Sequence, residues 1–322
     1  MLGRNTVLHR FSFMVILFIF ITSLFNISSN LITCKAKEGN TFYVGGSSVG
    51  NYTHIQDAVD NSSDDDTIFV YNGTYHENLV INKSINLVGL DKNSTFISYN
   101  ESLYVILIKS SWVNITRLTI LNGKIGIYIV GPKYSHNSIT NNIILNNWEG
   151  IRLYNSSNNN ISGNIINDHT NFGIISYESR NNLFLSNKFI DNYKGIFFGR
   201  WSDDNIISEN NFTKNVYGIS LDYSFNNLIY NNSITNNTMG ISLKYSSNNN
   251  ATNNTIKNNN QCGIYLSNSD YNIILPNTFF NNYQDIKEGP KPPMIKAPSF
   301  EILFVICAIL FVLFLSKKTK KF

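Results

Sequence analysis

Charge is what this sequence has least of. Only 14% of its 322 residues are Asp, Glu, Lys or Arg, against about 25% in an ordinary soluble domain. The hydrophobic share is nonetheless 43%, which excludes a disordered chain, because disorder needs low hydrophobicity with high charge. Nineteen glycines and six prolines cannot supply a collagen triplet. Of the three cysteines, Cys34 and Cys307 lie near the ends and only Cys262 falls in the body, so there is no disulfide framework. Positive charge is missing from the body as well. Residues 39–300 hold 17 Lys and Arg against 19 Asp and Glu, a sum of −2, and the net +4 comes from the two ends. A nucleic-acid partner, which needs a basic patch on the folded body, is excluded. What fills the place of charge is asparagine, 53 residues of it.

The ends read as addresses. Residues 1–37 place Arg4 and Arg10 before an apolar run from Phe11 to Phe25, the order of a secretory signal peptide or an N-terminal anchor. At the other end, 288–298 is a Pro-rich linker. Residues 299–316 contain fourteen uninterrupted apolar residues from Ile302 to Leu315, and 317–322 carry Lys317, Lys318, Lys320 and Lys321. A span usually takes about 20 residues, but the abutting lysines favour a transmembrane anchor with a basic cytoplasmic tail. The body is then expected outside the cell, tethered to the membrane by an apolar helix. The sequons at Asn51, Asn72, Asn114, Asn211 and Asn253 are consistent with a glycosylated surface protein. The tail also resembles the archaeal PGF-CTERM sorting signal, although Ser299 stands where that signal has Gly.

The body is a ladder. Gly followed by Ile recurs at Gly126, Gly150, Gly173, Gly195, Gly218, Gly240 and Gly263, in steps of 22 to 24 residues. Asn137, Asn159, Asn182, Asn205, Asn227, Asn249 and Asn272 keep the same rhythm, and so does a second line five residues later, Asn142 to Asn277. Ser156, Ser179, Ser202, Ser224, Ser246 and Ser269 form another. Within each unit, stretches such as Gly150-Ile-Arg-Leu-Tyr alternate apolar and polar residues, the period of strands with one buried face. Three short strands and three turns fit each 22–23-residue unit, which predicts an all-β, right-handed parallel β-helix over 42–287. The Leu-x-x-Leu-x-Leu pattern of a leucine-rich repeat is absent, and a propeller blade needs about 40 residues.

On this expectation the Asn lines serve the turns, where left-handed backbone favours Asn, and stack their amides from coil to coil. The charge-poor surface is read as a surface of Asn and Ser ladders. Thr53-His-Ile-Gln56 reads as a capping box opening a short helix over 53–61 that closes the N-terminal end. Asp64-Asp65-Asp66 reads as a turn rather than a calcium site.

The block Tyr52-Thr-His-Ile-Gln-Asp-Ala58, Asp66-Thr-Ile, Gly73-Thr-Tyr-His-Glu-Asn78 and Ile81-Asn-Lys-Ser-Ile85, followed by Asn-rich coils, resembles the right-handed β-helix family that includes the periplasmic copper-binding protein NosD, within the wider pectin-lyase-like superfamily. The family name implies copper. The body offers His54, His76, His136, His169, Cys262, Met239 and Met294, at no pairwise spacing that would converge on one ion, whereas soft metals want clustered Cys or Met. No metal and no other cofactor is expected.

The superfamily resemblance implies polysaccharide chemistry on an outer face, by acidic residues or by calcium with a basic residue. Hydrolysis needs a paired acid and base. Asp168 and Asp191 share a register in adjacent coils, with His169 beside the first and Lys214 continuing the line. The competing reading is that Asp replaces the Asn seen at 146, 236, 258 and 281. Asp203, Asp204 and Glu209 near Arg200 read as a solvated turn. For binding, Trp201, Tyr223 and Tyr245 form an outer aromatic line suited to stacking on sugar rings, or on one another. The expectation is a surface-anchored β-helix protein, structural or carbohydrate-binding, with a polysaccharide lyase or hydrolase as the alternative and cell-envelope glycans as candidate partners.

Overall fold

The computed structural model describes residues 39–290. The expected segments 1–37, 299–316 and 317–322 lie outside the described residues, as does most of the linker, and among the described residues no helix is long and apolar enough to cross a membrane. From Thr41 to Glu288 the chain winds as a right-handed parallel β-solenoid. Every coil between the first and the last contributes one strand to each of three parallel sheets of ten strands. In the coil after Val113, for example, Asn114–Thr116 belongs to sheet I, Thr119–Leu121 to sheet II and Ile125–Val130 to sheet III.

Columns of like residues fill the core. Ile115, Ile139, Ile161, Phe184, Ile207 and Ile229 follow one another in register in sheet I, and Ile120, Ile144, Ile166, Phe189, Phe212 and Ile234 do so in sheet II. All are sealed from solvent. Where two large rings meet, they stack: Phe189 and Phe212 lie 4.6 Å apart at 4°. The glycine column marks the corner between sheets II and III. Strand pairing skips it, joining Ile125 to Glu149 and Ile127 to Ile151, and a Cβ on Gly126 or Gly150 would stand 2.6 or 2.4 Å from the carbonyl oxygen of the next coil's glycine. Coils this close leave room only for hydrogen there.

The asparagine lines are internal, which corrects the expectation of a surface of ladders. Asn142, Asn164, Asn187, Asn210, Asn232 and Asn254 are at most 2% exposed. Each backbone N–H donates to the Oδ1 of the next coil's Asn at 2.8–3.0 Å, and the Nδ2 group of Asn210 donates to Asn232 Oδ1 and to Phe184 O. Left-handed backbone belongs instead to the residue just before each ladder position, such as Asn141 (φ 54°), Asn158 (φ 58°), Asn231 (φ 56°) and Asn253 (φ 56°). Two jobs assigned to one asparagine are thus divided between neighbours. The first turns the chain cheaply because Asn tolerates that region; the second points inward to satisfy buried amides.

A third ladder, not identified from the sequence, runs through Asn147, His169, Asn192, Asn215, Asn237, Asn259 and Asn282. His169 is its one imidazole. Its Nδ1 accepts the Asn147 N–H at 3.0 Å, and its Nε2 is buried without a hydrogen-bond partner. Burial lowers the imidazole pKa to about 4, against smaller opposing effects from backbone groups of Asn147 and Ile144.

At the N-terminal end helix α1, Ile55–Asn61, buries Ile55, Ala58 and Val59 against the first coils. The capping box does not form. His54 is the N-cap and its side chain makes no capping bond. The Glu77 carboxylate caps instead, taking the N–H groups of Ile55 and Gln56 at 2.9 Å each, because an acidic group from the next coil reaches the positive helix end more directly than Thr53. Lys83 donates to the carbonyls of Val59, Asp60 and Ser62 at the other end. Asp64 and Asp66 do form a turn, accepting the N–H groups of Ser84, Asn40 and Ser63.

Two outcomes follow for stability. Asn210→Ala strands the Asn187 amide donors and is expected to cost about 2–4 kcal/mol. Asn277→Ala, at the partly exposed last rung, costs visibly less; equal shifts in the denaturation midpoint would contradict the ladder's role. His169 stays neutral in the fold but binds a proton in the unfolded chain below pH 6.5. Its contribution to stability is therefore present above that pH and is lost as pH falls toward about 4, amounting at most to about 3 kcal/mol. His169→Asn should flatten this acid sensitivity in thermal melts between pH 7 and 4.5, and parallel slopes for the two proteins would refute it.

Candidate functional site

Chemistry gathers on the outside of sheet III. Its middle outward column runs Tyr128, Arg152, Ile175, Phe197, Ser220, Ser242 and Tyr265 in strand register. A second column, just before the glycines, runs Glu149, Phe172, Lys194, Tyr217, Met239 and Cys262. Ile175 and Phe197 in an outward register, both nearly buried, show that side chains here pack over one another instead of standing in water.

Glu149 is buried although it faces outward. Arg152, three residues along the same strand, holds it in a two-point pair, with Nε to Oε2 at 2.7 Å and Nη2 to Oε1 at 2.6 Å. The guanidinium lies 5.7 Å over the Tyr128 ring. Beside them the Tyr177 hydroxyl is pushed up by burial and by the Glu149 charge.

Two coils on, Lys194 sits among three rings, its Nζ 4.1 Å from the centre of Phe197, 5.2 Å from Tyr217 and 5.8 Å from Phe172. It donates to Ser220 Oγ at 3.4 Å. Burial, and then the Lys244 charge, lower its pKa to about 8, with Asp222 partly opposing. The next residue of that column, Ser242, keeps a buried hydroxyl with no partner. Neither Lys194 nor the Glu149–Arg152 pair was among the residues singled out from the sequence. The available signal was the apolar pair Ile175 and Phe197 at positions where alternation demands polar ones.

The residues of the aromatic line lie in the turn that follows directly on sheet III. Trp201, Tyr223 and Tyr245 are 55%, 40% and 45% exposed and occupy left-handed turn positions, with φ of 62°, 51° and 48°. Tyr223 and Tyr245 stack at 4.7 Å and 9°, so part of the line packs on itself, while Arg200 lies 5.7 Å over Tyr223. Tyr154 and Tyr177 pair in register in earlier coils.

Asp168 and Asp191 lie in one exposed column between sheets II and III. Their φ values, 58° and 53°, match those of Asn146, Asn236, Asn258 and Asn281 in the same column, and backbone tolerance accounts for the residue type. His169 turns inward into the third ladder, away from them. Asp203 departs from the solvated turn expected: it is 6% exposed, pairs with Arg180 at 2.9 Å and accepts the Phe225 N–H at 2.8 Å. The turn needs that carboxylate to satisfy a backbone donor.

The soft and nitrogen donors stay dispersed, with one exception. Met239 and Cys262 are strand partners, one coil period apart in the sequence, a juxtaposition that the reading of dispersed donors passed over. Cys262 is sealed and its thiol pushed up by burial. His136 stacks on Trp112 at 4.4 Å and meets Ser135 through Nδ1. Among the described residues no three His, Cys, Asp or Glu side chains converge on one point.

Solved structures share the fold at low identity. Tailspike protein 2 from Escherichia coli O157:H7 bacteriophage CAB120 aligns over 73% of this chain and 38% of its own, at 13% identity and a TM-score of 0.60. The Azotobacter vinelandii mannuronan C-5 epimerase AlgE6 A-module aligns over 74% and 95%, at 12% and 0.55. An alginate lyase from Paenibacillus sp. str. FPU-7 aligns over 72% and 96%, at 14% and 0.51. A search of curated protein sequences finds no match. The profile of a family described as right handed beta helix region matches residues 201–289. That of the family described as periplasmic copper-binding protein (NosD) matches residues 59–239, more than half of the chain, and the protein belongs to the NosD family of β-helix proteins.

Proposed function

We propose that this is an extracytoplasmic, surface-anchored β-helix protein that binds an anionic polysaccharide along sheet III and the turn beside it. The family's description as periplasmic and the targeting signals read at both ends of the sequence support the location. The observation that carries the binding reading is the backbone of the aromatic line. The same turn position is Asn155, Glu178 and Asn268 in other coils; bulky rings in left-handed backbone cost about 1–2 kcal/mol each relative to their ordinary regions. Three exposed rings kept there in succession support a binding role for the line. Rings of this kind present flat apolar faces to sugars, and Arg200, Lys244 and Lys194 supply positive charge beside them.

Copper is not part of this reading. The described residues fit it poorly: Cys262 is buried as a thiol, Met239 is its only soft neighbour in register, and no histidine joins them. The family description is therefore not extended to a metal centre in this chain.

A second reading, a polysaccharide lyase, is favoured by Lys194. A base working near neutral pH needs a pKa near that pH, and Lys194 lies at about 8. In such a reaction its neutral amine would take the proton alpha to a uronate carboxyl while the glycosidic oxygen leaves from the adjacent carbon.

On the binding reading, Tyr223→Asn removes a ring from the line and replaces it with the residue type its backbone prefers. Affinity for an acidic polysaccharide, measured by calorimetry or gel retardation, should fall about tenfold, roughly the worth of one stacked ring, while the melting temperature holds or rises. Unchanged affinity for both Tyr223→Asn and Trp201→Ala would end the proposal. On the lyase reading, uronate polymers yield unsaturated ends absorbing in the ultraviolet, and Lys194→Met abolishes them while Asp191→Asn leaves them intact. Turnover lost in Asp191→Asn would instead restore the carboxylate pair as a hydrolytic site.

A further inference from the structure

The two ends of the solenoid differ. Helix α1 closes the first, with Ile55, Ala58 and Val59 sealed beneath it. The last coil has no such cover among the described residues. Tyr271 and Tyr283 are 85% exposed, Phe280 68%, Leu275 61% and Ile273 56%. Among the described residues the strands Thr278–Phe280 and Ile286–Glu288 end their sheets, so one edge of each has no described strand beside it. An apolar end with open edges invites association unless something covers it.

The chain itself indicates what does. It leaves the solenoid at Glu288, Gly289 and Pro290, on this same end. Eleven residues, 291–301, separate that exit from the apolar run Ile302–Leu315 and its lysines, a reach of at most about 40 Å. That run is apolar at every position. Laid over the open end it would bury one side and expose an equally apolar other side, which moves the problem without removing it. A lipid surface satisfies both at once. The composition of the end suits it too, since tyrosines beside Phe, Leu and Ile are the side chains that rest at the boundary between headgroups and hydrocarbon.

We propose that the open C-terminal coil docks on the lipid bilayer, standing the solenoid on the membrane with sheet III directed along the membrane normal. This rests on the reading of 299–316 as a membrane anchor.

The test uses the full-length chain reconstituted in phosphatidylcholine vesicles. Phe280→Trp places a reporter on the end, and Tyr230→Trp places one on the exposed flank of sheet I; each is read as a difference from the parent protein. Flotation with the vesicles checks the anchor. Replacing the lipid with one brominated in its acyl chains should remove most of the extra emission of Phe280→Trp and leave that of Tyr230→Trp unchanged. Flotation without quenching at position 280 overturns the docking while leaving the anchor in place. Blue-shifted but unquenched emission also overturns it, in favour of the chain's own apolar run if independent of protein concentration and of a second copy if not. Failure to float overturns the anchor reading and the docking with it.

Discussion

Everything in this protein depends on the hand-over of backbone N–H groups from one coil to an asparagine oxygen in the next. A parallel solenoid must turn a corner three times per coil, and at each corner the backbone leaves the sheets and its amide groups lose their strand partners. Buried orphans would cost about 1–3 kcal/mol each. The three ladders offset this cost: along them an Asn Oδ1, or Nδ1 at His169, accepts a backbone N–H of the preceding coil, and Nδ2 groups such as those of Asn187 and Asn192 donate to a carbonyl and to the next rung. The bonds are made only when coils stack in register, so they also fix the register. The glycine column sets the same requirement sterically by letting the corner carbonyls approach.

That division leaves the outside unconstrained. Ladders, glycines and the Ile and Phe columns carry the fold from within, and the outward columns of sheet III can hold Arg152, Lys194, Ser220 or Tyr265 without changing a coil. The turn after sheet III is freer still, because its left-handed position accepts Asn155 in one coil and Trp201 in another. Where a scaffold demands nothing, costly choices are informative. Three rings in that backbone and a lysine caged among three others are such choices, and both border one face.

The architecture was legible because its period is written in residue types that do the same job in every coil. Gly126 to Gly263 and Asn137 to Asn277 are such residues, and the strands between them alternate with period two. Burial was not legible, because Asn reads as a surface residue; only stacking at the strand spacing makes an amide better satisfied inside than out. The third ladder escaped notice because His169 interrupts it, and a histidine beside Asp168 reads more naturally as chemistry. Glu77 escaped because a capping box is a local pattern, whereas the carboxylate that caps α1 arrives from a coil away. The cluster on sheet III was hidden for a related reason: Glu149 and Arg152 are three residues apart, but Lys194, Phe172 and Tyr217 meet only through register, which must be known to within one residue.

The scarcity of charge also shapes the outer surface. In most proteins a lysine competes with many neighbours for any anion that approaches. Here the ladders are neutral, the turns are built largely from Asn and Ser, and the strongest charge pairs, Glu149 with Arg152 and Asp203 with Arg180, are closed on themselves. The cations near sheet III outside such pairs are Lys194, half-buried among its rings, Arg200 over Tyr223, and Lys244, whose strand partner is Asp222. A half-buried cation is weakly screened and keeps its field. On the binding reading proposed above, an extended anionic chain lying along the coils would meet attraction at few places and rings between them, and would be selected by its geometry more than by its total charge.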